Sequence, residues 1–322
     1  MRCEVLEGGF DEARSLWNGL LARRSWTSIF LTPEWQGLWW DEFGREAGDL
    51  HFVRVGPAEA PLGLAPLVVR GDTITFVGDT DLFDYHDFID VAPGFHEALA
   101  GHLAGLSWRT IDLRSVPAFS PAMTAVPHAF GALGYEVTIE DEDVVPGVDL
   151  PATWDEFLAG LRKKDRHELR RKLRRLEGAG EVRIVESTHD TLAADCGLFL
   201  ELMAESSDEK REFMEPRRER FFRRAVEWAL AAGYLRLQFL ELNGERLATT
   251  MSFDYDGRRL LYNSGYRVEH GSLAVGLMLK ALCIRDAIER GLSYFDFLRG
   301  PEPYKYDLGG RNVGLHRIVV RR

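Results

Sequence analysis

The chain has 322 residues, 45% of them hydrophobic and 28% charged, enough to build two cores of roughly 150 residues each. Its 51 acids outnumber 40 Lys and Arg, and the net charge of −11 sets the summed field against general nucleic-acid affinity. Cys3, Cys196 and Cys283 have no paired spacing, the N-terminus carries early acids, and no run approaches the ~20 apolar residues of a spanning helix; a disulfide framework, signal peptide and membrane span are excluded, which predicts a reduced, cytoplasmic protein.

In chain order, helical periodicity covers 11–21 and 28–43, with Thr32 as N-cap and Pro33 at the first helical position. Strands follow at 51–55, 61–69 and 73–77, then a helix at 95–106, a strand at 110–114 and a helix at 121–133. Between the strands and that first helix, Asp84, Tyr85, His86 and Asp87 are bracketed by Phe83 and Phe88; their spacing fits no metal-ligand pattern, so no metal is expected. The acidic run at 140–143 reads as the start of a link to a second half, with domains at 1–147 and 148–322.

The second half repeats the alternation: helix 153–176, strand 182–185, helices 188–206 and 216–232, and strands 234–242 and 245–255 joined by Asn243-Gly244, a strong hairpin signal. Within the first of these helices, 162–175 concentrates Lys and Arg around a narrow stripe of Leu158, Leu161, Leu169, Leu173 and Leu176. That basic face is either solvated, with Glu168–Lys172 and Arg162–Asp165 pairs, or a landing surface for CoA phosphates, a lipid headgroup, an acidic glycan or RNA.

The segment from Tyr262 to Gly310 is the most informative. A strand through Leu260, Tyr262 and Ser264 leads to a turn at His270-Gly271-Ser272, with Ser272 as the expected N-cap of an apolar helix at 273–290. The first-turn amides of such a helix lack partners and carry the positive end of its dipole, and Gly271 and Gly276 present no side chain to block an anion. The strand at 292–298 then places Asp296 among aromatics, and two prolines stiffen a loop that would present Tyr304, Lys305 and Tyr306.

This order, with Tyr-Asn-Ser-Gly-Tyr at 262–266 and Asp-Phe-Leu-Arg-Gly at 296–300, resembles the GNAT acyltransferase superfamily. It resembles in particular its two-domain branch of CelD-like and, more distantly, FemAB proteins. The match runs from about 212 to 310, and Gly78 to Phe88 resembles a Gly-x-x-x-x-Asp-Tyr segment of the family's first half. The resemblance implies an α/β (α+β) protein of two tandem GNAT-like domains, each a mixed twisted sheet flanked by helices, with the acyl-CoA site in the second domain and the acceptor side in a degenerate first one.

It further implies N-acyl transfer from acyl-CoA to an amine: an amino sugar, an amino acid or a cell-envelope or polysaccharide precursor. Donor-binding candidates are Asn263, Ser264 and Gly265, whose backbone would hold the thioester carbonyl, and His270, Gly271, Ser272, Leu273 and Ala274. Catalytic candidates are Asp296 as base or amine anchor, Tyr262, Tyr304 and Lys305; Asp84, Tyr85, Phe213 and Arg299 are substrate-binding candidates. With no Gly-x-Ser-x-Gly and no Cys/His pair, direct attack by the amine is expected. Two other readings stay open: a FemAB-like transferase using aminoacyl-tRNA, and a catalytically silent scaffold of a polysaccharide-synthesis complex. Homodimerisation is open as well.

Overall fold

The computed structural model describes residues 2–322 and divides into two compact units, one running to Val144 and including Val313–Arg322, the other Val145–Asn312. The first contains β1 (Cys3–Val5), α1 (Gly9–Leu21), α2 (Pro33–Trp39), α3 (Arg45–Ala47), β2 (Asp49–Val55), β3 (Gly63–Arg70), β4 (Thr73–Phe76), β5 (Ile89–Asp90), α4 (Phe95–Ala104), β6 (Thr110–Pro117), α5 (Ala122–Gly131) and most of β7 (Glu136–Asp149). Helix α2 starts where Thr32 and Pro33 predict: the Thr32 hydroxyl accepts from the Trp35 amide at 3.2 Å.

Strands β2, β3 and β4 form an antiparallel meander, and after the α4 crossover β6 joins β4 in parallel. The inward residues Val53, Leu67, Ile74, Ile111 and Leu113 pack against Phe95, Leu99 and Leu103 of α4 and Val126 and Phe130 of α5. The acidic run at 140–143 lies inside β7, the strand in which the chain passes from the first unit to the second. Two of its carboxylates are held by other strands, Glu140 by Arg317 at 3.2 Å and Glu142 by the Ser115 amide at 2.7 Å, while Asp141 is exposed. Such partners let a polar segment remain extended.

The second unit contains α6 (Trp154–Gly160), α7 (Lys163–Glu177), β8 (Val182–Glu186), α8 (Leu192–Glu205), α9 (Asp208–Phe213), α10 (Pro216–Ala231), β9 (Leu235–Leu242), β10 (Glu245–Tyr255), β11 (Arg258–Tyr266), α11 (Val275–Glu289), β12 (Tyr294–Asp296) and α12 (Pro303–Asp307). The last strand, β13 (Arg311–Arg321), pairs with β6, so the final residues return to the first unit instead of ending the second. Asn243 and Gly244 take φ of 54° and 85°, the left-handed pair that a tight β9–β10 hairpin requires. The helix expected at 153–176 is interrupted: Leu161 is extended (ψ 150°) and buried, separating α6 from α7.

Strands β9, β10 and β11 again form an antiparallel meander, and after the α11 crossover β12 joins β11 in parallel. The two units thus repeat one topology. Helix α11 is fixed over its sheet by the fully buried Arg259, which donates to Asp254 of β10 at 2.7 Å and to Asp286 and the Cys283 carbonyl of α11 at 2.6 and 3.0 Å.

Candidate functional site

Pairing between β11 and β12 is short: Arg258, Arg259 and Leu260 meet Tyr294, Phe295 and Asp296, and there β12 ends. Strand β11 continues from Leu261 to Tyr266 with β10 on one edge and, among the described residues, no strand on the other. Tyr262 is the residue that the register skips opposite Met251 and Ser252, a bulge of the kind that frees an edge and re-aims side chains. Its ring packs between Phe222 and Phe253, with centroids 5.8 and 5.6 Å away.

The open edge is polar and partly engaged. The Ser264 amide donates to Asn263 Oδ1 at 2.8 Å, and the Ser264 carbonyl accepts from Lys210 Nζ of α9. Strand alternation turns the backbone groups of Asn263 and Gly265 the other way, towards β10, as the next bond in that series, Arg267 N–H to the Leu247 carbonyl, also requires. Of the three residues expected to hold an acyl carbonyl, only Ser264 directs its amide to the open side. Gly265 is small for a packing reason, since a Cβ there would lie 2.3 Å from the Met203 nitrogen of α8.

Helix α11 begins at Val275, behind a short helical turn at Val268–Leu273 and Ala274 in the left-handed region (φ 53°). Ser272 is not its cap, and among the described residues no side chain caps it. The amides of Val275, Gly276 and Leu277 therefore lack helical acceptors. They adjoin a cavity of about 260 Å³ lined by Tyr266, Gly271, Ala274, Gly276, Lys280 and Tyr304. Gly271 opens onto free space. His270 instead lies 3.7 Å from Glu269 and near Glu245, surroundings that disfavour an anion. Ser272 is exposed and Leu273 half-buried, and neither lines the cavity.

Lys280 was not anticipated, although it is the one charged residue in the apolar run 273–284. Its side chain is only 7% exposed. Among the described residues its ammonium has no hydrogen-bond acceptor or ion-pair partner, and its contact is the Tyr304 ring, 4.8 Å away. Burial, reinforced by Lys210 and Lys305, pushes it down to about 8, against the pull of Cys283 and Glu302. Burial likewise pushes Lys210 down to about 8. The Tyr304 phenol is raised well above its usual value by burial and then by Glu302, so it stays protonated.

Lys305, expected to be presented by a loop, is buried in α12 with every donor used. Its Nζ reaches the carbonyls of Leu298, Arg299 and Gly300 at 2.9, 2.6 and 3.0 Å and the Glu302 carboxylate at 2.9 Å. It closes the turn after β12, where Leu298 takes φ 58°, and Asp296 braces the same turn by accepting from the Leu298 amide at 2.8 Å. Arg299, half-buried, sits in that turn. Phe213, at the end of α9, is covered by the Arg218 guanidinium 4.1 Å above its ring.

In the first unit the helix in the topological position of α11 is α4. Its N-terminus adjoins a cavity of about 610 Å³ that includes Arg24, Asp87, Asp90, His96 and Glu97. Arg24 pairs with Asp87 at 2.8 Å and Asp90 at 2.6 Å, and burial pushes Asp87 up to about 6. Carboxylates thus stand at the helix start in this unit. Tyr85 is buried against Trp26 and Phe30, and neither it nor the half-buried Asp84 lines this cavity.

Residues 163–306 match the Acetyltransf_6 family model, an acetyltransferase (GNAT) domain. Solved structures match over nearly the whole length, among them a tandem GNAT protein from the clavulanic acid biosynthesis pathway (13% identity, 98% of this chain and 97% of that one, TM-score 0.52). The chain has the tandem GNAT fold. FemX is similar over 98% of this chain and 97% of its own (12% identity, TM-score 0.64). So is the C-terminal domain of a putative lysylphosphatidylglycerol synthetase from Agrobacterium fabrum (10% identity, 96% and 92% covered, TM-score 0.60). No curated protein matches the sequence. The GNAT domain match covers β11, the open edge and the α11 cavity.

Proposed function

We propose that the chain is an N-acyltransferase that moves an acyl group from acyl-CoA to a primary amine of an amino sugar, amino acid or envelope precursor. The observation that carries this reading is the open edge of β11 beside the uncapped start of α11. An extended, amide-bearing pantetheine arm adds to a free strand edge through backbone hydrogen bonds. The phosphates at its far end suit the unpaired amides of Val275, Gly276 and Leu277.

The neutral acceptor amine attacks the thioester carbonyl carbon, the C–S bond breaks, and the nitrogen gives up one proton to solvent while the departing thiolate takes one up. Ser264 N–H, released from Asn263, polarises the carbonyl. Tyr304 keeps its proton at neutral pH and lines the cavity assigned to the phosphates, so its phenol is a donor to them and not to the distant thiolate. Asp296 and Lys305 act by holding the turn that carries Tyr304's helix. The first unit, with carboxylates at the equivalent helix start, is assigned no donor; it is the acceptor-side unit in this reading.

Release of free thiol from acetyl-CoA in the presence of glucosamine or amino acids tests the activity. Tyr304→Phe is expected to weaken acetyl-CoA binding roughly 5- to 10-fold with little change in kcat, the loss of one donor to the phosphates. A fall in kcat with donor affinity unchanged would assign Tyr304 to the chemical step instead.

A second reading, aminoacyl transfer from charged tRNA, is favoured by α7. Lys163, Lys164, Arg170, Arg174 and Arg175 are exposed there and, among the described residues, have no ion pairs; Arg171 and Lys172 share Glu168. RNA binding that weakens steeply with salt and is lost on reversing Arg170, Arg174 and Arg175 would select it.

A further inference from the structure

We propose that Lys280 is the charge-reading residue of the donor site: its ammonium, held in the wall of the α11 cavity, binds a donor phosphate directly and so selects phosphorylated donors over the same thioester without phosphate. This rests on the donor reading above. Two kinds of positive group converge on one space of about 260 Å³, the first-turn amides of α11 and a side-chain cation from a little over one turn further along the same helix. A buried ammonium with no acceptor is costly, and an anion that enters beside it removes that cost.

The contrast with Lys305 shows that the fold satisfies a buried lysine where the role is structural: Lys305 has three carbonyls and a carboxylate, Lys280 none. The charged surroundings do not neutralise it either. Lys210 on α9 and Lys305 on α12 repel it, Cys283 lies one turn along its own helix, and Glu302 is committed to Lys305 at 2.9 Å. The Tyr304 ring, 4.8 Å away, supports the cation from one side and leaves the cavity side for a ligand.

The experiment is calorimetric titration of the whole protein, and of its Lys280→Met and Lys280→Arg variants, with acetyl-CoA, S-acetylpantetheine and inorganic pyrophosphate. Lys280→Met is expected to weaken acetyl-CoA and pyrophosphate at least tenfold and to leave S-acetylpantetheine unchanged, while Lys280→Arg keeps part of the phosphate affinity. The Met variant is expected to be at least as heat-stable as the parent, because it removes an uncompensated buried charge. Acetyl-CoA binding that Lys280→Met leaves intact, or equal weakening of the phosphate-free thioester, would overturn the role of Lys280 and leave the donor reading standing. Pyrophosphate binding that depends on Lys280, without acetyl-CoA binding, would uphold the anion site and overturn the donor reading. Binding of none of the probes would overturn both.

Discussion

Lys280 and Lys305 are both lysines among apolar and aromatic neighbours, and by sequence Lys305 is the better functional candidate because it stands in a proline-stiffened segment after a strand. Their coordination reverses that ranking. Removing Lys305 leaves three carbonyls and the Glu302 carboxylate without their donor, so Lys305→Met is expected to cost about 2–4 kcal/mol in denaturant unfolding. Lys280→Met is expected to cost nothing. The titration of Lys280 has a definite sign: its folded value is lowered from 10.5 to about 8, so between those pH values the unfolded chain holds more protons than the folded one. Stability therefore rises with pH across that window, by at most ~1.4 kcal/mol per pH unit for this group. The parent should gain more there than Lys280→Met, and a parallel pair of stability curves would contradict the assignment. Phosphate affinity should fall over the same pH range as the ammonium is lost. The lone charge inside 273–284 was visible in the sequence; whether it had partners was not, because acceptors from 298–302 reach one lysine and miss the other.

Local signals located most helices and strands well. Thr32-Pro33 and Asn243-Gly244 each force a specific backbone conformation, and both stand where expected. Where local signals failed, partners or backbone turns outside the segment decided. The acids at 140–143 lie in a strand whose Glu140 and Glu142 are received by Arg317 and the Ser115 amide, and Ser272 loses its capping role because Ala274 turns left-handed before the helix begins. The open edge of β11 was legible only as a strand: nothing local tells that β12 stops pairing at Asp296. Helix α8 fits against β11 only because residue 265 has no side chain. Gly265→Ala sets a methyl 2.3 Å from the Met203 nitrogen and is expected to destabilise the second unit by about 1–3 kcal/mol and to impair donor binding, measurable by denaturant unfolding and titration.

The repeated topology, three antiparallel strands, a crossover helix and a parallel strand, accounts for a chain of this length with two cores and one proposed donor site. The tandem arrangement was legible from the alternation of elements and from the family resemblance. The return of β13 to the first unit was not, because nothing in the sequence of 313–322 names its partner strand. The two crossover helices start in opposite chemistry: α11 beside a lysine and a glycine-bearing turn, α4 beside Asp87, Asp90 and Glu97. On the proposed donor reading, the anionic donor binds at the start of α11 and not at the start of α4. Amide hydrogen exchange of the whole protein with and without acetyl-CoA tests this most directly. The account predicts slowed exchange along Leu261–Tyr266 and at Val275–Leu277, with Phe95–Leu99 at the start of α4 unchanged; protection at α4, or none at β11 and α11, would contradict it.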